Sequence, residues 1–535
     1  MYRKKKRKDK VVHISFSAGK LLKQKEILIL LLCLFTGFAL RLYTFDQKSL
    51  WLDEIHTFNE SRDDLRGQLN FYKEYPTHLQ PPLFFVLSHL FYPFTKPERD
   101  LRIIPLIFGT LSIPMIYFLS RMFSPVTALP CTLSLTFMTY HVSLSQEGRS
   151  YALLMFLGML SLYLLMNYMR TMRLRYLIAV CFSWAVMILT SYSAIPFVFF
   201  VQILWFYRSR EDIKTARISS IFAMNLLTLL LLLPWFLFLL LNYPGKNATD
   251  PYDPRFLLSL KDIVYGLFHD WTPHLPLMIA SAVVLLVFAF VTDNKKKAWL
   301  LVSVLFFPIL WLYFFCRLFN ISHFITSRYF ITFLPLFLIT LYLSINAIQR
   351  KFTIFRKFVR LQWLFVFLFI ASNVVILPLY YRSEKQDFRG LVRCLQPHLR
   401  NGDIIYLGGT FLFPGIFHYF GIPPNGRNYE LTTYQNLQMG IEFVMVPLSF
   451  RNVTIPLYYS KRCCSQYVVD GNRLWIVVGG KRAAQEIMKD SPAVLKGFFD
   501  GSFVNFDRFP RDASIYLFLW DPQSPNEKGI DMPMR

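Results

Sequence analysis

Long apolar runs separated by short polar loops dominate the first 380 residues of the chain. A membrane hydrocarbon core about 30 Å thick requires about 20 helical residues, and most of the runs have close to that length. The pattern therefore predicts a polytopic α-helical membrane protein with about eleven spans, over residues 27–45, 103–122, 126–144, 150–169, 176–190, 192–207, 218–241, 276–291, 298–316, 329–347 and 362–379.

Composition supports this prediction and excludes other protein classes. Residues of the set AVILMFWYC make up 54% of the chain and charged residues only 17%, whereas soluble domains contain about 25% charged residues. The mean hydropathy is +0.37. A soluble enzyme is therefore excluded, and seven cysteines in 535 residues exclude a disulfide-dense scaffold.

The net charge of +25 lies mainly in loops between the spans. Such clusters are typical of cytoplasmic loops, which anionic lipids attract, so we expect contacts with membrane lipids and none with nucleic acid. The basic segments are the cytoplasmic N-terminal residues 1–26 and the loops Arg170–Arg175, Lys295–Lys297 and Arg350–Arg360.

Counting crossings decides how the short apolar run Pro81–Phe94 is interpreted. With the N-terminus inside, the loop 46–80 lies outside, and an odd number of spans must separate it from the basic loop Arg170–Arg175. Omitting Pro81–Phe94 satisfies this condition, so we predict a re-entrant or interfacial helix there. The C-terminal residues then lie outside.

Two regions on the outer side differ from the rest. The loop 46–80 is acidic and long enough to be functional. Residues 381–535 follow the transmembrane domain, 27–380. Their sequence pattern predicts a small extracytoplasmic α/β domain. Its predicted strands are 404–407, 443–446, 474–478 and 515–519. Residues 383–389 lead into a helical pattern that ends at Leu399, and a second helix is predicted at 483–489. A disulfide between Cys394 and either Cys463 or Cys464 stays open.

Adjacent carboxylates follow the first span, at Asp53 and Glu54. Paired acids near an apolar surface can have separated pKa values, which suits a general base. An ordinary acidic surface loop is the alternative. Glu147 and Arg149 form a second polar group, between the third and fourth spans, for which a helix-end ion pair is the alternative.

Two more arginines lie at the outer ends of spans, Arg102 and Arg328. A guanidinium matches the oxygens of a phosphate, so Arg102, Arg149 and Arg328 are candidate phosphate ligands. Arg328 could instead extend to lipid headgroups. His78 and Tyr329 are candidate substrate contacts, although a lone histidine beside a proline turn is more often structural.

The candidate acids and arginines all converge on the outer face, where nucleotide sugars are absent. The sequence also lacks the glycine-rich and zinc-binding motifs of nucleotide and metalloprotease sites. A sugar donor on this side would have to be lipid-linked, and its phosphate would lie at headgroup depth. Asp53 would deprotonate an acceptor hydroxyl, and the arginines would stabilise the departing phosphate.

Several motifs occur in an order that resembles a known family: Arg41-Leu-Tyr, Leu50-Trp-Leu-Asp53-Glu54, Pro81-Pro82-Leu-Phe-Phe, Arg102 to Pro114, Ser145-Gln-Glu-Gly-Arg149 and Ser327-Arg-Tyr-Phe to Pro335. Over roughly residues 25–380 the chain resembles the bacterial branch of the GT-C membrane glycosyltransferases. That branch is similar to protein O-mannosyltransferases, lipid A aminoarabinose transferases and galacturonosyl transferases.

The resemblance implies a GT-C fold, a polyprenyl-phosphate sugar donor and inversion at the anomeric carbon. It implies that Asp53 is the base, with Glu54 and Glu147 in the catalytic group. The acceptor would be lipid A, another cell-envelope glycan or a protein, at the outer face of the cytoplasmic membrane. One departure is Gln80, where members commonly have a histidine directly before the paired prolines.

Other interpretations of the same residues remain. An anionic-lipid flippase or transporter would use the arginines without bond chemistry, but few unpaired charges lie in the middle of the spans. A polysaccharide ligase would explain the large outer loops but not the ordered motifs. Some GT-C enzymes use a divalent metal; the sequence offers no assured ligand set, so none is assigned.

Overall fold

The structure is a computed structural model of the 535-residue chain. It describes residues 24–74, 80–207, 214–242, 259–318, 326–352, 360–422, 443–448, 451–456, 473–501, 513–524 and 528–529. The basic N-terminal segment before residue 24, His78 and the vicinal cysteines Cys463 and Cys464 lie outside the described residues.

In the described residues, seventeen α-helices lie between residues 24 and 382. The first group comprises α1 (Gln24–Leu42), α2 (Leu52–Glu60), α3 (Leu65–Glu74), α4 (Leu83–His89), α5 (Pro97–Asp100), α6 (Ile103–Phe123), α7 (Pro125–Phe137), α8 (Thr139–Ser145) and α9 (Tyr151–Thr171). The second comprises α10 (Leu174–Thr190), α11 (Ala194–Val201), α12 (Lys214–Asn242), α13 (Leu260–Trp271), α14 (Leu275–Val291), α15 (Lys295–Leu318), α16 (Leu334–Lys351) and α17 (Leu361–Arg382).

The described part of the chain has six helices long and apolar enough to cross a membrane, or seven if α13 and α14, bent by 106°, form one span. These helices confirm a multi-helix membrane protein. The exact count of eleven spans stays a prediction, because α7, α10 and α11 are shorter apolar helices. Within the run Pro81–Phe94 the helix α4 has seven residues, or about 10 Å, too little to span.

The predicted span 126–144 is a broken helix. Met138 separates α7 from α8 with an extended backbone, φ −66° and ψ 107°. A break leaves carbonyls without helical donors, which is costly in an apolar surrounding. The fully buried Arg41 of α1 supplies donors, bonding the carbonyls of Leu135 at 3.1 Å and Thr136 at 3.3 Å. Arg41 therefore ties α1 to this break.

A six-stranded mixed sheet follows α17. Its strands are β1 (Ile404–Leu407), β2 (Phe443–Leu448), β3 (Arg451–Pro456), β4 (Leu474–Gly479), β5 (Val494–Phe499) and β6 (Ile515–Trp520), in the order β2-β3-β1-β4-β6-β5. β1 is parallel to β3 and to β4, where Ile404 faces Leu474, and the other pairs are antiparallel. Helices α18 (Phe388–Leu395), α19 (Phe413–Phe420) and α20 (Lys481–Asp490) accompany the sheet.

The predicted α/β character of the C-terminal region is confirmed, and β3, β5 and α19 were not predicted. β5 is an edge strand interrupted by Lys496 and Gly497, and only alternate residues face the core, which weakens its apolar pattern. We call β1–β6 with α18–α20 the sheet domain. Its apolar core includes Leu50 and Ile55 of the acidic loop and Leu101 just before α6, so the sheet domain packs directly on the acidic loop.

Candidate active site

Helix α2 is the first helix in the acidic loop 46–80. Its first turn carries both adjacent carboxylates, Asp53 and Glu54. Acidic side chains are favourable there because they face the positive end of the helix dipole. Successive helical residues point in directions about 100° apart, so the two carboxylates separate. Glu54 is 1% exposed, whereas the Asp53 side chain is 30% exposed.

Glu54 forms a buried bidentate ion pair with Arg102, which precedes α6. The Arg102 Nε and Nη2 atoms donate to the two carboxylate oxygens, each at 2.7 Å. The remaining three N–H groups of Arg102 bond the carbonyls of Phe45, Lys48 and Ser49 at 2.9–3.1 Å. All five donors of this guanidinium are therefore used within the protein.

A tight turn brings the second polar motif onto Glu54. The Gly148 N–H donates to Glu54 Oε1 at 2.6 Å. A Cβ atom at residue 148 would lie 3.1 Å from the Leu101 Cβ and 3.3 Å from Glu54 Oε1, tighter than ordinary contacts. A larger residue would require Leu101 or Glu54 to shift by a few tenths of an ångström.

Asp53 and Glu147 meet at one guanidinium. Arg328 Nη1 lies 3.7 Å from Asp53 Oδ2 and 3.7 Å from Glu147 Oε1. Arg328 stands in the 3₁₀ turn Ser327–Phe333 that leads into α16. Lys385, just after α17, donates to Glu147 Oε2 at 2.9 Å. Four charged side chains from four distant segments thus form one cluster.

A cleft partly open to solvent lies beside this cluster. Trp51 forms part of its wall, with Lys385 Nζ 3.4 Å and the Arg328 guanidinium 5.3 Å from the indole ring centre. Such distances favour cation–π attraction. Further lining residues are Lys48, Ser49, Glu54, Arg102, Tyr140, Ser143, Leu144, Gln146, Glu147 and Tyr380.

Arg149 supports α2 and is not one of the residues lining the cleft. Its Nη1 donates to the Asp53 carbonyl at 3.2 Å and to Thr57 Oγ1 at 3.1 Å. Burial works against the charged form, but Asp53 and Tyr151 outweigh it and raise the pKa of Arg149. Arg149 is thus a cation that holds the helix carrying Asp53.

Two lysines that we did not predict add positive charge to the cleft. Burial lowers the pKa of Lys48 to about 7, although Glu384 opposes this effect. Burial also lowers the pKa of Lys385, although Glu147 opposes it. Burial disfavours the charged form of both lysines, and an additional anion in the cleft would offset this cost.

The sequence-predicted residues therefore separate into groups. Glu147 and Arg328 line the cleft, and Asp53 meets Arg328 beside it. Glu54 and Arg102 also line the cleft, but their polar groups are bonded to each other and to the backbone. All five N–H groups of the Arg102 guanidinium have acceptors within the protein, so its binding of phosphate stays a prediction. Tyr329 packs against the apolar bundle core and does not line the cleft.

The residues that sequence reasoning missed include Lys48, Trp51, Tyr140, Tyr380 and Lys385. Trp51 lies inside the motif around Asp53, so proximity in sequence signalled it. Lys385 lies directly beyond the last span on the predicted outer side, where a lone lysine resembles any surface cation. No pattern in the sequence connects it with Glu147, 238 residues earlier.

A divalent metal does not fit the carboxylates present. Among the described residues there is no group of three or more His, Cys, Asp or Glu side chains that could hold a metal ion. Asp53 and Glu147 instead face the cations Arg328 and Lys385.

Comparisons with known proteins identify the fold. Residues 79–238 match the family model described as dolichyl-phosphate-mannose-protein mannosyltransferase. ArnT from Cupriavidus metallidurans in the apo state superposes with a TM-score of 0.53 at 11% identity, covering 92% of this chain and 97% of ArnT. The chain has the GT-C glycosyltransferase fold. The predicted GT-C resemblance is thereby confirmed.

A second ArnT structure from the same organism, bound to undecaprenyl phosphate, gives a TM-score of 0.52 at 11% identity with the same coverage of both chains. No curated protein matches the chain. At 11% identity these GT-C structures establish the fold alone, so the activity and the substrates rest on the cleft itself.

Proposed function

We propose that the chain is a membrane glycosyltransferase that moves one sugar from a polyprenyl-phosphate-linked donor to an acceptor at the outer face of the cytoplasmic membrane. The acceptor is lipid A, another cell-envelope glycan or a protein. The observation that carries the proposal is the convergence of Asp53 and Glu147 on Arg328, which lines the cleft. The GT-C fold and the family match support it.

Asp53 acts as the base. Its side chain is 30% exposed beside the cleft, so an acceptor hydroxyl can reach it, whereas Glu54 is enclosed by Arg102 and Gly148. Asp53 takes the hydroxyl proton as the acceptor oxygen bonds to the anomeric carbon. Attack from the face opposite the phosphate inverts that carbon.

The donor's phosphate is the leaving group. As the bond between the anomeric carbon and the phosphate oxygen breaks, the electron pair passes to that oxygen, and the polyprenyl phosphate gains one negative charge. Arg328 lines the cleft and lies where it can stabilise this charge. Arg149 and Arg102 position α2 and its flanking loop.

The test uses purified full-length protein in lipid vesicles with a panel of radiolabelled polyprenyl-phosphate sugars and crude membrane acceptors. Wild type should transfer label, or release it slowly as free sugar, and Asp53→Asn should lower this rate by about 10³-fold or more while leaving the protein folded. Asp46→Asn removes the same charge from an exposed position on the loop and should retain wild-type activity.

Full activity of Asp53→Asn would overturn the role of Asp53. Binding of the donor by wild type without turnover, across the whole acceptor panel, would favour a lipid transporter over an enzyme. Glycan products of long repeat length would favour a polysaccharide ligase or polymerase.

A further inference from the structure

Lys385 lies in a short segment that joins the last helix to the sheet domain. On either side of it, Glu384 accepts from the Ser49 N–H at 3.1 Å and Gln386 accepts from the Leu52 N–H at 2.9 Å. The two anchors therefore fix Lys385 so that it enters the cleft.

The cations around Glu147 outnumber its single negative charge. This one carboxylate faces two cations, Lys385 at 2.9 Å and Arg328 at 3.7 Å. Its Oε1 atom is buried and has no hydrogen-bond donor among the described residues. A buried carboxylate oxygen without a donor is costly, so Glu147 is bound less completely than Glu54, which accepts four hydrogen bonds.

We propose that Lys385 and Glu147 form an exchangeable ion pair, in which Glu147 holds Lys385 beside Arg328 and releases it to the phosphate of a polyprenyl phosphate. This inference rests on the proposed function, since it assigns the phosphate-binding cations of the same cleft. It also gives the sheet domain's linking segment a direct part in substrate binding.

The charge change during transfer gives the exchange its physical basis. The sugar-linked donor is a phosphodiester with one negative charge, whereas a phosphate monoester carries about −1.5 to −2 at pH 7. The released phosphate therefore competes with Glu147 for Lys385 more strongly than the donor does. Trp51 keeps the ammonium in place during the exchange, because Lys385 Nζ lies 3.4 Å from its ring centre.

The experiment measures binding of farnesyl phosphate, a short polyprenyl monophosphate, to the full-length protein in phosphatidylcholine nanodiscs by calorimetry. Farnesol, with the same chain and no phosphate, reports the apolar contribution. Lys385→Met should weaken farnesyl phosphate binding about tenfold or more, the loss expected for one charge-assisted hydrogen bond. Lys385→Arg should retain most of the affinity.

Glu147→Gln is the more decisive variant. It removes the carboxylate that competes with the phosphate for Lys385, so farnesyl phosphate binding should tighten several-fold. Farnesol binding should be unchanged in every variant. Lys489→Met, which removes an exposed lysine from α20, is the matched control and should bind as wild type does. Thermal unfolding confirms that each variant is folded.

Equal affinities of wild type and Lys385→Met, or weaker binding by Glu147→Gln, would overturn the proposal. The outcome is separable from the proposed function, because no sugar is transferred in this assay. If phosphate binding changes as expected while no donor is ever turned over, the ion-pair exchange stands and the transferase assignment fails.

Discussion

Replacing Glu54 with Gln separates a structural role from a catalytic one. Both carboxylate oxygens of Glu54 accept two donors: Oε1 from Arg102 Nε and the Gly148 N–H, and Oε2 from Arg102 Nη2 and the Trp51 N–H. A glutamine has one acceptor oxygen. In either orientation its NH₂ group faces two donors, so Glu54→Gln leaves the Arg102 charge buried without a counter-ion.

The cost follows from this burial. The side chains of Arg102 and Glu54 are 3% and 1% exposed. Removing one partner of a pair buried to this degree costs about 3–5 kcal/mol. Glutamine and glutamate have nearly the same volume, so no cavity adds to this cost. We expect the thermal midpoint to fall by roughly 5 °C or more.

The assay is thermal unfolding of the purified protein in detergent, followed by the half-life at one fixed temperature, because membrane proteins often unfold irreversibly. Glu26→Gln is the matched control. Glu26 faces Arg121 at 3.8 Å, and the two side chains are 35% and 28% exposed. A pair of that exposure contributes at most about 1 kcal/mol, so its midpoint should stay close to the wild-type value.

A Glu54→Gln protein with wild-type stability and no sugar transfer would refute this reasoning, because Glu54 would then act in the chemistry. Arg102→Lys sharpens the comparison. It keeps the charge but has three donors in place of five, so at least two of the present bonds are lost, at about 1 kcal/mol each.

Three further predictions concern neighbouring residues. Arg328→Lys keeps one charge but cannot hold both carboxylates in the same geometry, so kcat for sugar transfer should fall about tenfold or more while the fold is retained; unchanged kcat would contradict it. Burial raises the pKa of Glu60 from 4.5 to about 7, so the folded state holds a proton that the unfolded state lacks between those pH values. The free energy of unfolding should therefore fall as pH rises from 4.5 to 7, by up to about 3 kcal/mol, and Glu60→Gln should remove this part of the slope in thermal midpoints measured at pH 5 and pH 8; an identical slope in both proteins would exclude Glu60 as its source. Gly148→Ala forces a Cβ to within 3.3 Å of Glu54 Oε1, and the resulting displacement should lower stability by about 1 kcal/mol, a loss that thermal unfolding would detect.

Much of the fold could be predicted from local sequence because apolar runs and their lengths are local properties. Each predicted span corresponds to a helix or to a broken pair of helices, and the strands β1, β4 and β6 coincide with short apolar runs. The break at Met138 could not be predicted in this way. It depends on Arg41, which is 95 residues distant from Thr136 and satisfies the exposed carbonyls.

In the candidate site, the difference between what local sequence indicates and what tertiary packing decides is larger. Asp53 and Glu54 are neighbours in sequence and have the same chemistry, so the sequence alone indicated an acidic pair and the arginines that could serve it. Only tertiary packing gave them different partners: Glu54 is enclosed by Arg102, and Asp53 faces Arg328 at the cleft.

The amino-acid sequence by itself determined the membrane-spanning character, the α/β domain and the residue types of the site, because composition and periodicity act over a few turns of chain. Tertiary structure decided which charges share a cleft. Ion pairing depends on distances of a few ångströms between segments such as those of Glu147 and Lys385, 238 residues apart, and no local pattern specifies such distances.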